Sequence, residues 1–255
     1  MYFIGVSSLE PFDPFSDPAV PKAGAPDGEA YVVLTAGGIR GASPEQAGGA
    51  AIEAELARLG ASVTALFESA AAPGRVTVVR PAPGAGRGAS RRALERMDRD
   101  LDLADPRVVE PWLDNSLFGG PPPAGAVLFV GTTSPGKSIL RFTPEEMERT
   151  LAHVGKVLNV FAESVRAVRE GGHVVVVAPP DDSEEGCVLR AALRQITRTS
   201  VAERRFLPSG KKVRVSLLSP PPDGAGRDFL RRVTDILAGE SPPSVEPIPV
   251  GRSRP

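Results

Sequence analysis

At 255 residues the chain is long enough to bury the core of one large α/β domain or two small ones. Its 30 basic and 31 acidic side chains nearly cancel, which leaves no basic excess for nucleic acid and no block of like charge for an interaction tail. A single cysteine, Cys187, excludes an internal disulfide, and with only His153 and His173 beside it no zinc site is expected. Gly and Pro number 27 each, so long loops and linkers are expected between the elements.

The opening residues, "MYFIGVSSLEP", lack the basic n-region of a signal peptide. No apolar run anywhere approaches the ~20 residues of a membrane span. A cytoplasmic protein with no membrane partner is therefore expected. Residues 1–28 hold five prolines and no hydrophobic period, and read as an extended arm with Phe12 and Phe15 as anchors. The domain proper spans 29–240, and 241–255 form a Pro-rich tail.

Within the domain, "AYVVLTAGG" is an apolar strand ending in glycines. A helix is expected next, capped by Ser43, with Pro44 at its first position and Gly60 at its end. "ASVTALF" and "RVTVVRP" are two further strands. "SRRALERMDRDLDLAD" reads as a charged, exposed helix, and "WLDNSLFGGPPPAG" as a turn-rich connection into the strand "AVLFVG". Thr143-Pro144-Glu145-Glu146 has the pattern of a capped helix start, and the helix should run to about Arg169, where Gly171-Gly172 stop it. "HVVVVAPP" is a strand buried on both faces. The helix "EEGCVLRAALRQITRTSVAERR", the strand "KKVRVSLLSPPP" and the helix "GRDFLRRVTDILAG" complete the order. This alternation implies an α/β fold: a doubly wound, Rossmann-like parallel sheet with helices on both faces.

One stretch matches a nucleotide-binding motif. Gly131-Thr-Thr-Ser-Pro-Gly136-Lys137-Ser138 is G-x-x-x-x-G-K-S after an apolar strand, so a phosphate-loop nucleotide hydrolase is one reading. In such a loop the Lys and Ser open the next helix, whose N-terminal N–H groups then face the phosphates. Here the helix signal comes five residues beyond Ser138, Pro144 breaks a continuous helix from Lys137, and Asp181 falls three residues too late to hold a Mg²⁺ shell.

The order of elements from Ala126 to Pro222 resembles the second half of a short-chain dehydrogenase/reductase, and "LTAGGIRGAS" with "LARLGASVTAL" extends the likeness over residues 30–240. "LFVGTT" stands where that family ends a strand in Asn-Ala-Gly. "RFTPEEMERTLAHVGKVLNVF" matches the helix that follows, "GGHVVVVAPP" the strand carrying the catalytic serine, and "GCVLRAALRQITRT" the Tyr-x-x-x-Lys helix. The resemblance places the family's tyrosine at Gly186, its lysine at Arg190, its serine near Ala178 or Pro179, and its helix asparagine near His153 or Val154. Glycine cannot donate a proton, and arginine does not titrate near neutrality. On the cofactor side, Gly37, Gly41 and Ser43 stand in the glycine-rich turn, with Ser43 replacing the third glycine, so that turn reads as vestigial.

The resemblance also implies an oligomer interface. In the family the long helix and the next one pack between subunits. Leu151, Val154, Leu158, Phe161 and Val165 on the first, and Leu189, Leu193 and Ile196 on the second, are the expected interface residues. The leading expectation is a catalytically inactive subunit with no bound cofactor. It would scaffold or complete an active dehydrogenase or ketoreductase partner in a homo- or hetero-oligomer. The alternative is an active NAD(P)-dependent oxidoreductase in which Lys137, Lys156 or Arg190 stands in for the missing groups.

Overall fold

The structure is a computed structural model. It describes residues 29–37, 49–68, 74–81, 94–113, 121–133, 138–179, 184–206, 212–220 and 226–239. The arm, the tail, Gly41, Ser43, Pro44, Lys137 and Asp181 lie outside the described residues.

Among the described residues seven strands form one sheet: β1 (Ala30–Ala36), β2 (Ser62–Glu68), β3 (Arg75–Pro81), β4 (Leu94–Asp100), β5 (Gly125–Val130), β6 (His173–Val177) and β7 (Arg214–Leu218). Their order is β4-β3-β2-β1-β5-β6-β7. The five strands from β2 to β7 in that order are parallel. They are the near-continuous runs of Val, Leu, Ala and Phe expected of strands covered on both faces. Helices α1 (Gly49–Arg58) and α5 (Arg227–Leu237) cover one face; α2 (Pro106–Leu113), α3 (Pro144–Ala167) and α4 (Glu184–Phe206) cover the other. On the α1/α5 face, Val33, Val127 and Val175 meet Ile52, Leu56, Val233 and Ile236. On the opposite face, Leu34, Leu128 and Val176 meet Val160, Phe161, Leu189 and Leu193.

Two expectations are corrected between β2 and β5. β3 returns antiparallel to β2, and the stretch expected to be a charged helix contains β4, antiparallel to β3. The residues of β4 are good helix formers, but cross-strand partners decide its conformation. Arg80 pairs with Glu95 at 2.9 Å, and the Thr77 hydroxyl donates to Asp98 at 2.8 Å. A charged outermost strand also resists pairing with other chains. The second difference is α2, of which residues 106–111 lie between the two expected stretches and only the last two fall in the turn-rich connection. Asp105 accepts the Arg107 N–H at 3.0 Å and Pro106 takes the first helical position, which gives α2 a capped start.

The long helix keeps its expected bounds. Thr143 caps α3 with a full capping box: its hydroxyl accepts the Glu146 N–H at 3.3 Å, and the Glu146 carboxylate accepts the Thr143 N–H at 2.8 Å.

Candidate functional site at the carboxyl ends of the strands

In an open parallel sheet the ligand crevice lies beyond the carboxyl ends of the strands, where the chain leaves neighbouring strands toward opposite faces. Here that point lies between β1, which leads to α1, and β5, which leads to α3. β1 is followed by Gly37, whose φ of +92° puts it in the region that favours glycine. Its N–H donates to a Glu68 carboxylate oxygen at 2.7 Å, a group that arrives from the last residue of β2. The other Glu68 oxygen accepts from the Lys156 ammonium on α3. This ion pair reaches from α3 past the end of β1 to the end of β2, and the Glu68 side chain is only 5% exposed.

His153, one helical turn before Lys156, seals the centre. Its Nε2–H donates to the Gly131 carbonyl at 3.0 Å. Its ring lies so close to Gly37 that a Cβ there would stand 2.6 Å from Cε1. Burial holds the imidazole below its ordinary pKa, against the hydrogen bond to Gly131 and the nearby Glu68 and Glu185 carboxylates, which pull the other way. The ring is therefore neutral near pH 7, with its proton on Nε2.

The remaining polar groups are tied in the same manner. Glu185, fully buried in the first turn of α4, accepts from the Thr133 N–H at 2.9 and 3.0 Å and from the Thr133 hydroxyl at 2.7 Å. The Ser138 hydroxyl donates to Glu184 at 2.9 Å. Arg190 donates through Nη2 to the Pro179 carbonyl at 2.9 Å, joining α4 to the end of β6. The loop from Gly131 to Ser138 is thus fastened to α4 at both ends. A short 3-10 turn, Ile139–Arg141, separates it from α3, so Ser138 does not open a helix as a phosphate loop requires.

Of the positions read from the family pattern, Arg190 is bonded to Pro179, His153 lies against Gly131 and Gly37, and Gly186 stands in the first turn of α4. Glu68 and Glu185 were missed by sequence reading. The only signal for Glu68 is an acid closing an apolar strand. Among the expected interface residues, Leu151 is 64% exposed, while Val154, Leu158, Val165 and Ile196 are half-buried. Phe161, Leu189 and Leu193 are 1–3% exposed within the chain's own core, which corrects their assignment to an interface. The core-facing line of α3 runs through His153, Val157, Val160 and Ser164, and the expected stripe straddles its margin. Among the described residues no cluster of His, Cys, Asp or Glu could hold a metal, and no helix is long and apolar enough to cross a membrane.

No family model and no curated protein matches the sequence. Solved structures do match the fold. A doubly substituted variant of a Serratia marcescens short-chain dehydrogenase/reductase superposes with a TM-score of 0.55 at 18% identity, covering 85% of this chain and 90% of that one. The chain has the short-chain dehydrogenase/reductase fold. The Serratia marcescens protein of that name gives a TM-score of 0.52 at 18% identity, over 85% of this chain and 90% of that one. The protein lin1944 from Listeria innocua gives 0.52 at 11% identity, over 84% and 96%. The departure from a wholly parallel sheet is the β3–β4 pair, which lies at the edge and leaves the crevice between β1 and β5 in place.

Proposed function

We propose that this protein is a catalytically inactive subunit of short-chain-dehydrogenase type, which scaffolds or completes an active dehydrogenase or ketoreductase partner in a homo- or hetero-oligomer. The observation that carries this reading is that the chain's own polar groups engage one another across the carboxyl ends of β1, β2 and β5. At the positions the family pattern gives to serine, tyrosine and lysine stand Pro179, Gly186 and Arg190. Arg190 spends a donor on the Pro179 carbonyl. Nothing there can protonate a carbonyl substrate near neutral pH.

On this reading no dinucleotide is held. The Gly37 N–H, which would face a cofactor oxygen, is taken by Glu68. The Lys156–Glu68 pair and the His153 ring lie across the groove from β5 to β2.

What such a subunit retains is surface. Leu140, Met147 and Leu151, before and in the first turns of α3, and Val188, in the first turn of α4, are the exposed large apolar residues among those described. They mark the partner-facing side on this reading, in place of the buried Phe161, Leu189 and Leu193. Co-expression with dehydrogenases encoded beside it, followed by native mass measurement, tests the proposal. A stable oligomer that Leu151→Glu weakens at least tenfold is expected. A strict monomer that captures no such partner contradicts it.

A further inference from the structure

The face of the sheet away from α3 and α4 carries a groove that the crevice does not use. Helices α1 and α5 pack there, and between them the described residues line a cavity of about 870 Å³. Small-molecule sites span about 300 to 1,000 Å³. α1 leads from the end of β1 to the start of β2, and α5 leads from the end of β7 to Leu237, which lies against Gly125 at the start of β5. The two helices therefore run the same way. The groove follows them from Ala51 and Arg227 at one end to Leu59 and Ala238 at the other. At ~1.5 Å per helical residue, the run from Arg227 to Ala238 is about 16 Å long.

The groove is apolar along its length. Leu59 and Leu230 are half-buried and Ala238 is buried. The Thr234 hydroxyl is already engaged by the Leu230 carbonyl at 3.0 Å. Charge is added by three arginines and two acids. Glu55 accepts from Arg58 Nε at 2.9 Å and from its Nη2. The hydrogen bond from Arg58 holds this carboxyl below its ordinary range, and the nearby Arg227 and Arg231 lower it further. Neither Arg227 nor Arg231 is held in an ion pair among the described residues. Asp235 offsets one of them, which leaves one positive charge in excess. That excess lies toward the Arg227 end, because Arg58 is matched by Glu55 and Asp235 stands one turn beyond Arg231.

We propose that the α1/α5 groove binds an elongated amphipathic anion, a free medium-chain alkyl carboxylate. Its acid group meets Arg227 and Arg231, whose planar guanidinium groups suit a carboxylate. Its chain lies along Leu230, Leu59 and Ala238 and leaves water there. The site stands apart from the crevice, so neither reading depends on the other.

The test uses the full chain and decanoate below micelle formation, followed by calorimetry and thermal unfolding. Decanol, with the chain and no charge, and acetate, with the charge and no chain, are the controls. Decanoate should bind saturably and raise Tm by about 3 °C at ten times its Kd. Acetate and decanol should each bind at least tenfold more weakly. Arg227→Met with Arg231→Met should weaken decanoate at least tenfold. Both side chains are exposed, so this variant should keep the wild-type Tm without ligand. Leu230→Asn should weaken decanoate while leaving acetate unchanged. Decanol binding as tightly as decanoate, or decanoate binding unchanged in the double arginine variant, would overturn the proposal. So would no decanoate binding, including the case in which the chain instead sediments with phosphatidylglycerol vesicles, which would make the groove's ligand a membrane lipid.

Discussion

Glu68 carries the largest electrostatic commitment in the crevice. It is a buried carboxylate meeting one backbone N–H and one ammonium, and removing either partner strands the other. Glu68→Ala should cost about 3 kcal/mol in urea denaturation. Lys156→Met should cost at least as much, because it leaves the more buried partner, Glu68, charged and without its ammonium. The double variant should fall short of the sum by at least ~1 kcal/mol, and additive losses would show that the two are not coupled. His153 contributes through pH. Its folded pKa lies below the ordinary 6.5, so the unfolded chain takes up its proton first as the solution is acidified. The stability from the neutral ring is whole above pH 6.5 and is lost as pH falls from there toward the folded value. The slope can reach about 1.4 kcal/mol per pH unit. Denaturation midpoints of wild type should therefore drop across this window, and His153→Gln should flatten the drop.

The elements divide by how they are stabilised. The five parallel strands were legible because burial on both faces demands apolar runs, and these stand out in any reading. α3 was legible because its cap is local: Thr143, Pro144 and Glu146 fix its start within four residues. Thr143→Ala should lower stability by about 1 kcal/mol without altering the fold, measured by thermal unfolding with circular dichroism. β4 was not legible. Its residues Glu95 to Asp100 are mostly exposed, and their helix propensity is overruled by partners on β3 that no local pattern reveals. α2 was not legible either: it is short and holds Pro111 inside it, although Pro106 serves as a helix start. The interface stripe on α3 failed in part for a related reason. Spacing shows that a helix has an apolar side, but which neighbours cover it depends on how α3 lies over β5.

At the scale of the molecule, the candidate site was readable where it follows the fold's order and unreadable where it crosses it. Gly186 and Arg190 are found by counting along one helix. The Lys156–Glu68 contact joins residues 88 apart, and Thr133–Glu185 joins residues 52 apart, so only the folded sheet brings them together. On the proposed reading these long-range contacts close the crevice that a dehydrogenase leaves open. On the same reading, the exposed apolar side chains of α3 and α4 are the surface on which a partner would act. The central claim is that closure, and titration of the purified protein with NADH and NADPH, followed by nucleotide fluorescence and calorimetry, tests it most directly. The account predicts no saturable binding of either nucleotide up to millimolar concentration. Saturable binding of NADH or NADPH to the wild-type chain would contradict it.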